Sequence, residues 1–162
     1  MPPVSDPSVH MLRHTLATVA YRAGKVLRDA PENFDVFRAG PKTRTPGQIL
    51  AHLGDLMAWG LAVAKGKHEW HDSEPLPWPE GVSRFFAALE AFDRQLASGV
   101  APGFPAEKLF QGPVADALTH IGQIAMLRRM AGAPVRGENY FVAEIAEGRV
   151  GAEQAKPRKE FE

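Results

Sequence analysis

The sequence predicts an all-α protein, a four-helix bundle with long connecting loops and an irregular C-terminal segment. Four stretches carry apolar residues at the i, i+3, i+4 spacing of an amphipathic helix. No stretch shows the apolar–polar alternation of a half-buried strand, and linkers of about a dozen residues permit crossover connections. We therefore expect a single domain over residues 1–162, with flexible ends at 1–7 and 151–162.

The composition narrows the classes of function. The 162 residues contain no cysteine, which excludes disulfides, iron–sulfur clusters and thiolate zinc sites, so a metal site must use His, Asp or Glu. Lys plus Arg equals Asp plus Glu, 19 each, which argues against nucleic acid as the main partner. Apolar runs are too short for a membrane span and the start lacks a secretory signal, so we expect a cytoplasmic protein without membrane association.

The first helix is expected from near Ser8 to about Asp29, because Leu, Val and Ala recur there at helical spacing. His10 and His14 lie four residues apart in its first turns and form a rival metal pair. Exposed polar residues are ordinary in such turns, which favours a purely structural role for both histidines. Residues 31–44 are expected to form a loop, or to carry at most a short helical turn.

The second helix has the clearest start signal in the chain. Thr45 at the N-cap, proline at the first helical position and Gln48 at the third form a capping box. The helix is predicted to continue to about Ala64, with Gly66 ending it. His52 lies at the edge of its apolar stripe, where a lone histidine is more often a hydrogen-bonded packing residue than a ligand.

A long loop is predicted over residues 65–79, which contain several prolines and two tryptophans. Loops of this length in a compact domain are often functional, so Trp70, His71 and Trp78 are candidates for lining a pocket. The alternative is that the tryptophans cover one end of the bundle. His68 and His71 could also reach a metal site if this loop folds inward.

The third helix is predicted from Pro79 or Glu80 to Gly99. Phenylalanine and leucine repeat along it at helical spacing, and such an aromatic stripe is more often core than a cofactor site. Residues 100–111, rich in Pro and Gly, are expected to form a loop.

The fourth helix, predicted over residues 112–132, holds the most informative polar residues. Pro113 suits the first helical turn, and Gly132 is a stop signal. One apolar stripe contains Val114, Ala117, Leu118, Ile121, Ile124 and Ala125. A second strip runs along its edge and contains Asp116, His120, Gln123 and Leu127. Because residues i and i+4 are neighbours on a helix surface, Asp116 and His120 can approach the same ion or substrate.

Arg128 falls within the apolar stripe of the fourth helix. Three interpretations stay open: its side chain snorkels to the helix end, it forms a buried pair with Asp55 or Glu138, or it binds an anionic substrate. Beyond Gly132 no long helical stripe occurs, and residues 151–162 are expected to be a solvated tail.

A bundle builds metal sites from side chains on facing helices. His52 with Asp116 and His120 would supply two imidazoles and one carboxylate. Such a set suits Zn²⁺, Ni²⁺, Fe²⁺ or Mn²⁺ and leaves coordination positions open for water or substrate.

Two stretches carry a family resemblance: TPGQILAHLGDLMAWG, from Thr45, and DALTHIGQIAMLRRMAG, from Asp116. They resemble the DinB/YfiT-like superfamily, four-helix bundles in which one His on the second helix and an H-x3-H pair on a later helix bind a divalent metal. The resemblance extends from the first helix to about Glu138. His52 matches the second-helix ligand and His120, followed by Gly-Gln, matches the last ligand. Asp116 stands where the family usually has His.

The resemblance implies a metal-dependent enzyme. Characterised members are mostly low-molecular-weight-thiol S-transferases and the mycothiol-dependent maleylpyruvate isomerase. Because this chain has no Cys, the thiol would have to come from outside. Hydrolysis by metal-activated water is the alternative chemistry for the same ligands. We expect Trp59, Trp70, Gln123 and Arg128 to line the pocket for a small-molecule substrate.

A second hypothesis comes from another class of protein. Asp116 could accept a hydrogen bond from His120 in a vestigial site, leaving a non-catalytic bundle that binds a small hydrophobic ligand. The surplus of apolar residues on two helices favours a homodimer in either case.

Overall fold

The computed structural model describes residues 6–162. Within these residues the chain forms four long helices, α1 (Pro7–Leu27), α2 (Pro46–Ala64), α3 (Trp78–Ala97) and α5 (Ala115–Met130), with a short α4 (Ala106–Leu109) before the last. A 3₁₀ turn over Phe34–Val36 interrupts the loop between α1 and α2. The predicted all-α class, with four main helices in a bundle-like arrangement, is confirmed. No helix among the described residues is both long and apolar enough to cross a membrane.

Side-chain caps fix the starts of the first two long helices. The Asp6 carboxylate accepts the Ser8 N–H at 2.9 Å and α1 begins at Pro7, so these two residues of the expected flexible start belong to the helix and its cap, while residues 1–5 lie outside the described residues. At α2 the Thr45 hydroxyl accepts the Gln48 N–H at 3.2 Å, and the Gln48 side chain accepts the Thr45 N–H at 2.9 Å. The predicted capping box is therefore confirmed, and it sets where α2 begins.

All four long helices contribute to the core, and α2 and α3 make the most extensive contact in it. Phe85 and Phe92 of α3 are fully buried, so the predicted aromatic stripe is core. Gly60 makes the close approach possible, because a Cβ atom there would lie 2.5 Å from the Phe92 ring. Trp78 opens α3 one residue earlier than predicted. Its ring packs on Phe34, so this tryptophan covers the bundle end rather than a pocket.

The fourth helical segment starts earlier than the sequence predicts. Residues 106–111, expected to be loop, form α4 and the start of a π-helical turn over Phe110–Val114 that runs directly into α5. Pro113 thus lies inside a continuous helical segment instead of in a first turn. A proline there lacks an N–H and its ring would clash with the carbonyl four residues before, a conflict that the wider i to i+5 spacing relieves.

The C-terminal segment folds back onto the helices. Strand β1 (Gly137–Glu138) pairs antiparallel with β2 (Glu160–Phe161). The Glu160 carboxylate also lies 3.1 Å from the Lys25 ammonium of α1. Most of residues 151–162 are exposed, as expected of a solvated tail, but residues 160–161 are paired with β1 where a flexible end was expected. Two residues in each strand are too few to show the alternation by which a strand is predicted.

Arg128 closes the end of α1. Its guanidinium donates to the carbonyl oxygens of Val26, Arg28, Asp29 and Ala133, at 2.8 to 3.3 Å. Three of these carbonyls belong to the last turn of α1 or follow it, where no intrahelical donor remains. Burial lowers the pKa of Arg128. Neither predicted partner contacts it, because Asp55 pairs with Arg84 and Glu138 pairs with Lys25.

Candidate metal site and adjacent cavity

His52 of α2 and Asp116 and His120 of α5 converge at one point. The His52 Nε2 lies 3.3 Å from the Asp116 Oδ2, and the His120 Nε2 lies 3.4 Å from the same oxygen. One ligand atom from each of the three residues lies within 4.8 Å of the others. Two helices far apart in sequence thus bring together the three side chains that the sequence predicts as metal ligands.

The spacing of these atoms fits a small divalent ion. Metal–ligand bonds of about 2.0 to 2.1 Å in a tetrahedron place neighbouring ligand atoms about 3.3 Å apart. The two distances to the Asp116 oxygen match this edge, and the imidazole nitrogens lie within 4.8 Å of each other. The imidazoles of His52 and His120 are 20% and 12% exposed and the carboxylate is 46% exposed, so the carboxylate side is the more open to solvent.

Gln123 orients one of the imidazoles. The Nδ1 of His120 lies 2.8 Å from the Gln123 Oε1, one turn further along α5. With Nδ1–H donating to this amide oxygen, Nε2 carries the lone pair that faces Asp116 and His52. This is the arrangement by which proteins fix the tautomer of a metal-binding histidine.

Two tryptophans form the wall behind His52. Trp70 packs edge-on against the His52 ring at 5.5 Å, and Trp59 packs on Trp70 at 5.8 Å. Trp59 in turn lies over Gly112, where an added Cβ would come 3.1 Å from the indole. The π-helical turn therefore presents its glycine to Trp59 just before α5 presents Asp116 to the site.

A clamp holds the loop that carries Trp70. Ser73 donates its backbone N–H and its hydroxyl to the buried carboxylate of Asp55, at 2.8 and 2.7 Å. Arg84 of α3 binds the same carboxylate. Burial alone would raise the pKa of Asp55, but these donors outweigh it and hold the pKa below its ordinary value. The loop between α2 and α3 is thereby tied to both helices on either side of it.

A cavity of about 710 Å³ opens beside the three ligands. It is lined by Thr43, Arg44, Ile49, His52, Asp116, His120, Gln123, Met126 and Leu127. The polar strip predicted on the fourth helix is therefore one wall of this cavity. Arg44 was not predicted. The sequence feature that could have identified Arg44 is its position directly before the Thr45 cap, because this cap places Arg44 at the start of the helix that carries His52.

The other predicted residues lie elsewhere or at the edge of the site. Trp70 packs on His52 and Trp59 packs on Trp70, but neither tryptophan lines the cavity, and Arg128 lies at the end of α1. The His10 imidazole pairs with Glu147, and His14 is exposed on α1. His68 packs on Phe104, and His71 is exposed on its loop, so neither joins the three ligands.

Comparisons with protein-family models, with curated proteins and with solved structures give no match to this chain, so the resemblance to the DinB/YfiT-like superfamily stays a prediction.

Proposed function

We propose that this chain is a divalent-metal-dependent enzyme that acts on a small molecule, with His52, Asp116 and His120 holding the ion. One observation carries the proposal: two imidazole nitrogens lie 3.3 and 3.4 Å from one carboxylate oxygen at the wall of a 710 Å³ cavity. Two imidazoles and one carboxylate suit Zn²⁺, Ni²⁺, Fe²⁺ or Mn²⁺ and leave positions open for a substrate.

The chemistry follows from those open positions. When bound, such an ion lowers the pKa of a coordinated thiol or water, which makes that group a nucleophile near neutral pH. The chain contains no cysteine, so an external low-molecular-weight thiol is the second substrate of an S-transferase reaction, or a cofactor that is released unchanged in an isomerase reaction. Hydrolysis by water is the alternative reaction at the same ligands.

Other residues of the chain orient a ligand, cover the site and line the cavity. Gln123 holds the His120 ring in the orientation that turns Nε2 to the site. Trp70 covers one edge of His52 and limits the access of water from that side. Ile49, Met126 and Leu127 give the cavity an apolar wall against which the body of a substrate can pack.

The first experiment measures metal content. Protein purified without a histidine tag is compared with His52→Ala, Asp116→Ala and His120→Ala, and with His14→Ala as a matched control for loss of an exposed histidine. We expect near-stoichiometric metal in the wild type and in the control. We expect it to be absent from both cavity-histidine variants and reduced in the aspartate variant, with helical circular dichroism unchanged.

Two results would contradict the proposal. Wild-type protein that takes up none of Zn²⁺, Ni²⁺, Fe²⁺ or Mn²⁺ would remove the metal site. Equal metal in the wild type and in all three cavity variants would place the ion elsewhere. With the site established, low-molecular-weight thiols are screened against electrophilic substrates, and ester and amide hydrolysis is assayed in parallel.

A second candidate function is a non-catalytic bundle that binds a small hydrophobic ligand, as a monomer or a homodimer. It is favoured by the distance of 3.3 Å between the Asp116 carboxylate and the His52 imidazole, which allows a hydrogen bond without any ion. It predicts no metal uptake, together with binding of apolar dyes in the cavity. Sedimentation velocity on the same sample measures the oligomeric state.

A further inference from the structure

We propose that Arg44 binds the carboxylate of the substrate, so that this cavity selects small carboxylate-bearing molecules with an apolar body. The inference rests on the proposed function of the cavity and names the class of molecule that it takes. It is carried by four features of Arg44 and its surroundings: a fixed backbone, a guanidinium without a partner among the described residues, the charge of the cavity and the apolar residues that line it.

The backbone of Arg44 is held on both sides. On one side the Arg38 guanidinium donates to the Thr43 carbonyl at 2.9 Å, and the Thr43 hydroxyl closes a turn with Gly40. On the other side Thr45 is the N-cap residue of α2, fixed by the capping box with Gln48. The backbone of Arg44 is therefore fixed at the cavity, so that only its side chain has to be ordered on a ligand.

The Arg44 guanidinium is not used by the fold. Throughout residues 6–162 it makes no ion pair and no side-chain hydrogen bond, whereas Arg13 binds Asp93 and Arg84 binds Asp55. Arg44 is exposed and lines the same cavity as the three ligands. Its five N–H donors form a planar fork that matches a carboxylate.

The charge of the cavity favours an anion. Asp116 is the one acidic residue among those that line it, and Arg44 is the one Lys or Arg. With a divalent ion bound, Asp116 offsets one of the ion's charges, and Arg44 adds a further positive charge. A singly charged carboxylate offsets part of this excess, while a phosphate more often recruits several cations and backbone N–H groups.

The apolar wall defines the rest of the ligand. Ile49, Met126 and Leu127 line the same space, so a molecule that places its carboxylate on Arg44 can bury an apolar body against them. The cavity and its single cation together favour an amphipathic carboxylate over a sugar phosphate or a nucleotide.

The test compares two probes that differ in one group, 3-phenylpropionate and its neutral counterpart 3-phenylpropanol. Dissociation constants are measured by isothermal titration calorimetry and by NMR shift perturbation, on zinc-loaded and on metal-free protein. Arg44→Gln removes the proposed contact and Arg44→Lys keeps the charge. Lys42→Gln removes an exposed cation two residues away that does not line the cavity.

We expect the wild type and Lys42→Gln to prefer the carboxylate by about five- to tenfold with zinc and by about threefold without it, since the pair is partly screened by solvent. Arg44→Gln should reduce the preference to about twofold or less in both forms, and Arg44→Lys should keep part of it. Added salt should weaken the preference.

Two outcomes would overturn the inference. In the first, the carboxylate preference is equal in wild type and Arg44→Gln, which would mean that the ion or another group binds the carboxylate. In the second, Lys42→Gln loses as much as Arg44→Gln, which would mean a general charge effect. The measurements on metal-free protein need no ion. A failure of metal binding would therefore refute the proposed enzyme, while the comparison of Arg44→Gln with the wild type would still test the carboxylate contact.

Discussion

Replacing Gln123 by Ala should weaken metal binding without changing the fold. Gln123 is exposed, and its contact with the candidate ligand set is the 2.8 Å hydrogen bond to Nδ1 of His120. Losing the partner of a metal-binding histidine typically costs 10- to 100-fold in affinity, about 1.4 to 2.7 kcal/mol. Because solvent can replace an exposed acceptor, we expect the lower end, about tenfold.

The assay is competition for Zn²⁺ against a chromophoric chelator, with the unfolding midpoint measured alongside. Gln123→Glu keeps an acceptor and adds a negative charge, so it should bind zinc at least as tightly as the wild type. Thr119→Ala, an exposed change on the same helix, is the matched control and should have no effect. An unchanged affinity in Gln123→Ala would refute the assignment of Nε2 as the metal-facing nitrogen through this hydrogen bond.

Three further predictions concern the groups that support the site and the fold. Asp55→Asn should lower the free energy of unfolding by about 3 kcal/mol at pH 7, since Arg84 loses a buried partner. The pKa of Asp55 is lowered in the folded state, so this contribution is full above its ordinary value of 3.8, and urea titrations should show it vanishing as the pH falls below that value. Arg128→Met should cost about 3 kcal/mol by thermal unfolding, because carbonyls at the end of α1 lose their donor, yet leave zinc affinity unchanged. Glu138→Gln should destabilise by about 2 kcal/mol at pH 8, since buried Lys25 then keeps only the Glu160 carboxylate as a charged partner. Burial lowers the pKa of Lys25, but its hydrogen bonds to carboxylates outweigh burial and raise the pKa above the ordinary 10.5. The stability that this pair contributes is therefore lost as the pH rises above that value. Urea unfolding should show the free-energy difference between Glu138→Gln and the wild type shrinking over the same range.

Features set by local chemistry are the ones that the sequence predicts well. The capping box at Thr45 needs only residues three apart, and it fixes the start of α2. The strip containing Asp116, His120 and Gln123 follows from the period of the helix, and all three side chains line one cavity. The position of His52 opposite them depends on how α2 packs on α5, which helical periodicity alone does not specify.

Features set by distant contacts are the ones that the sequence predicts poorly. Pro113 is typical of a first helical turn, but the fold extends the helix through it by a π-helical turn, with Trp59 packed on Gly112. Leu109, just before this turn, is fully buried, which stabilises helix where loop was expected. The pairing of β2 with β1 depends on the register of two residues and on the contact between Glu160 and Lys25.

The two arginines show how the same residue type takes opposite roles. Arg128 lies in the apolar stripe of its helix, and a guanidinium so placed is buried on folding. Since burying a charge without partners costs several kcal/mol, it must find acceptors in the protein, and the free carbonyls at the end of α1 supply them. Four of its five N–H donors are thereby bound within the fold, at a place away from the cavity. Arg44 is exposed in a loop, where water satisfies it at no cost to the fold, so its donors stay free for a ligand that enters the cavity. A search for the cation that binds an anionic substrate should therefore begin with exposed arginines at rigid loop ends beside a cavity, because buried ones are already bound.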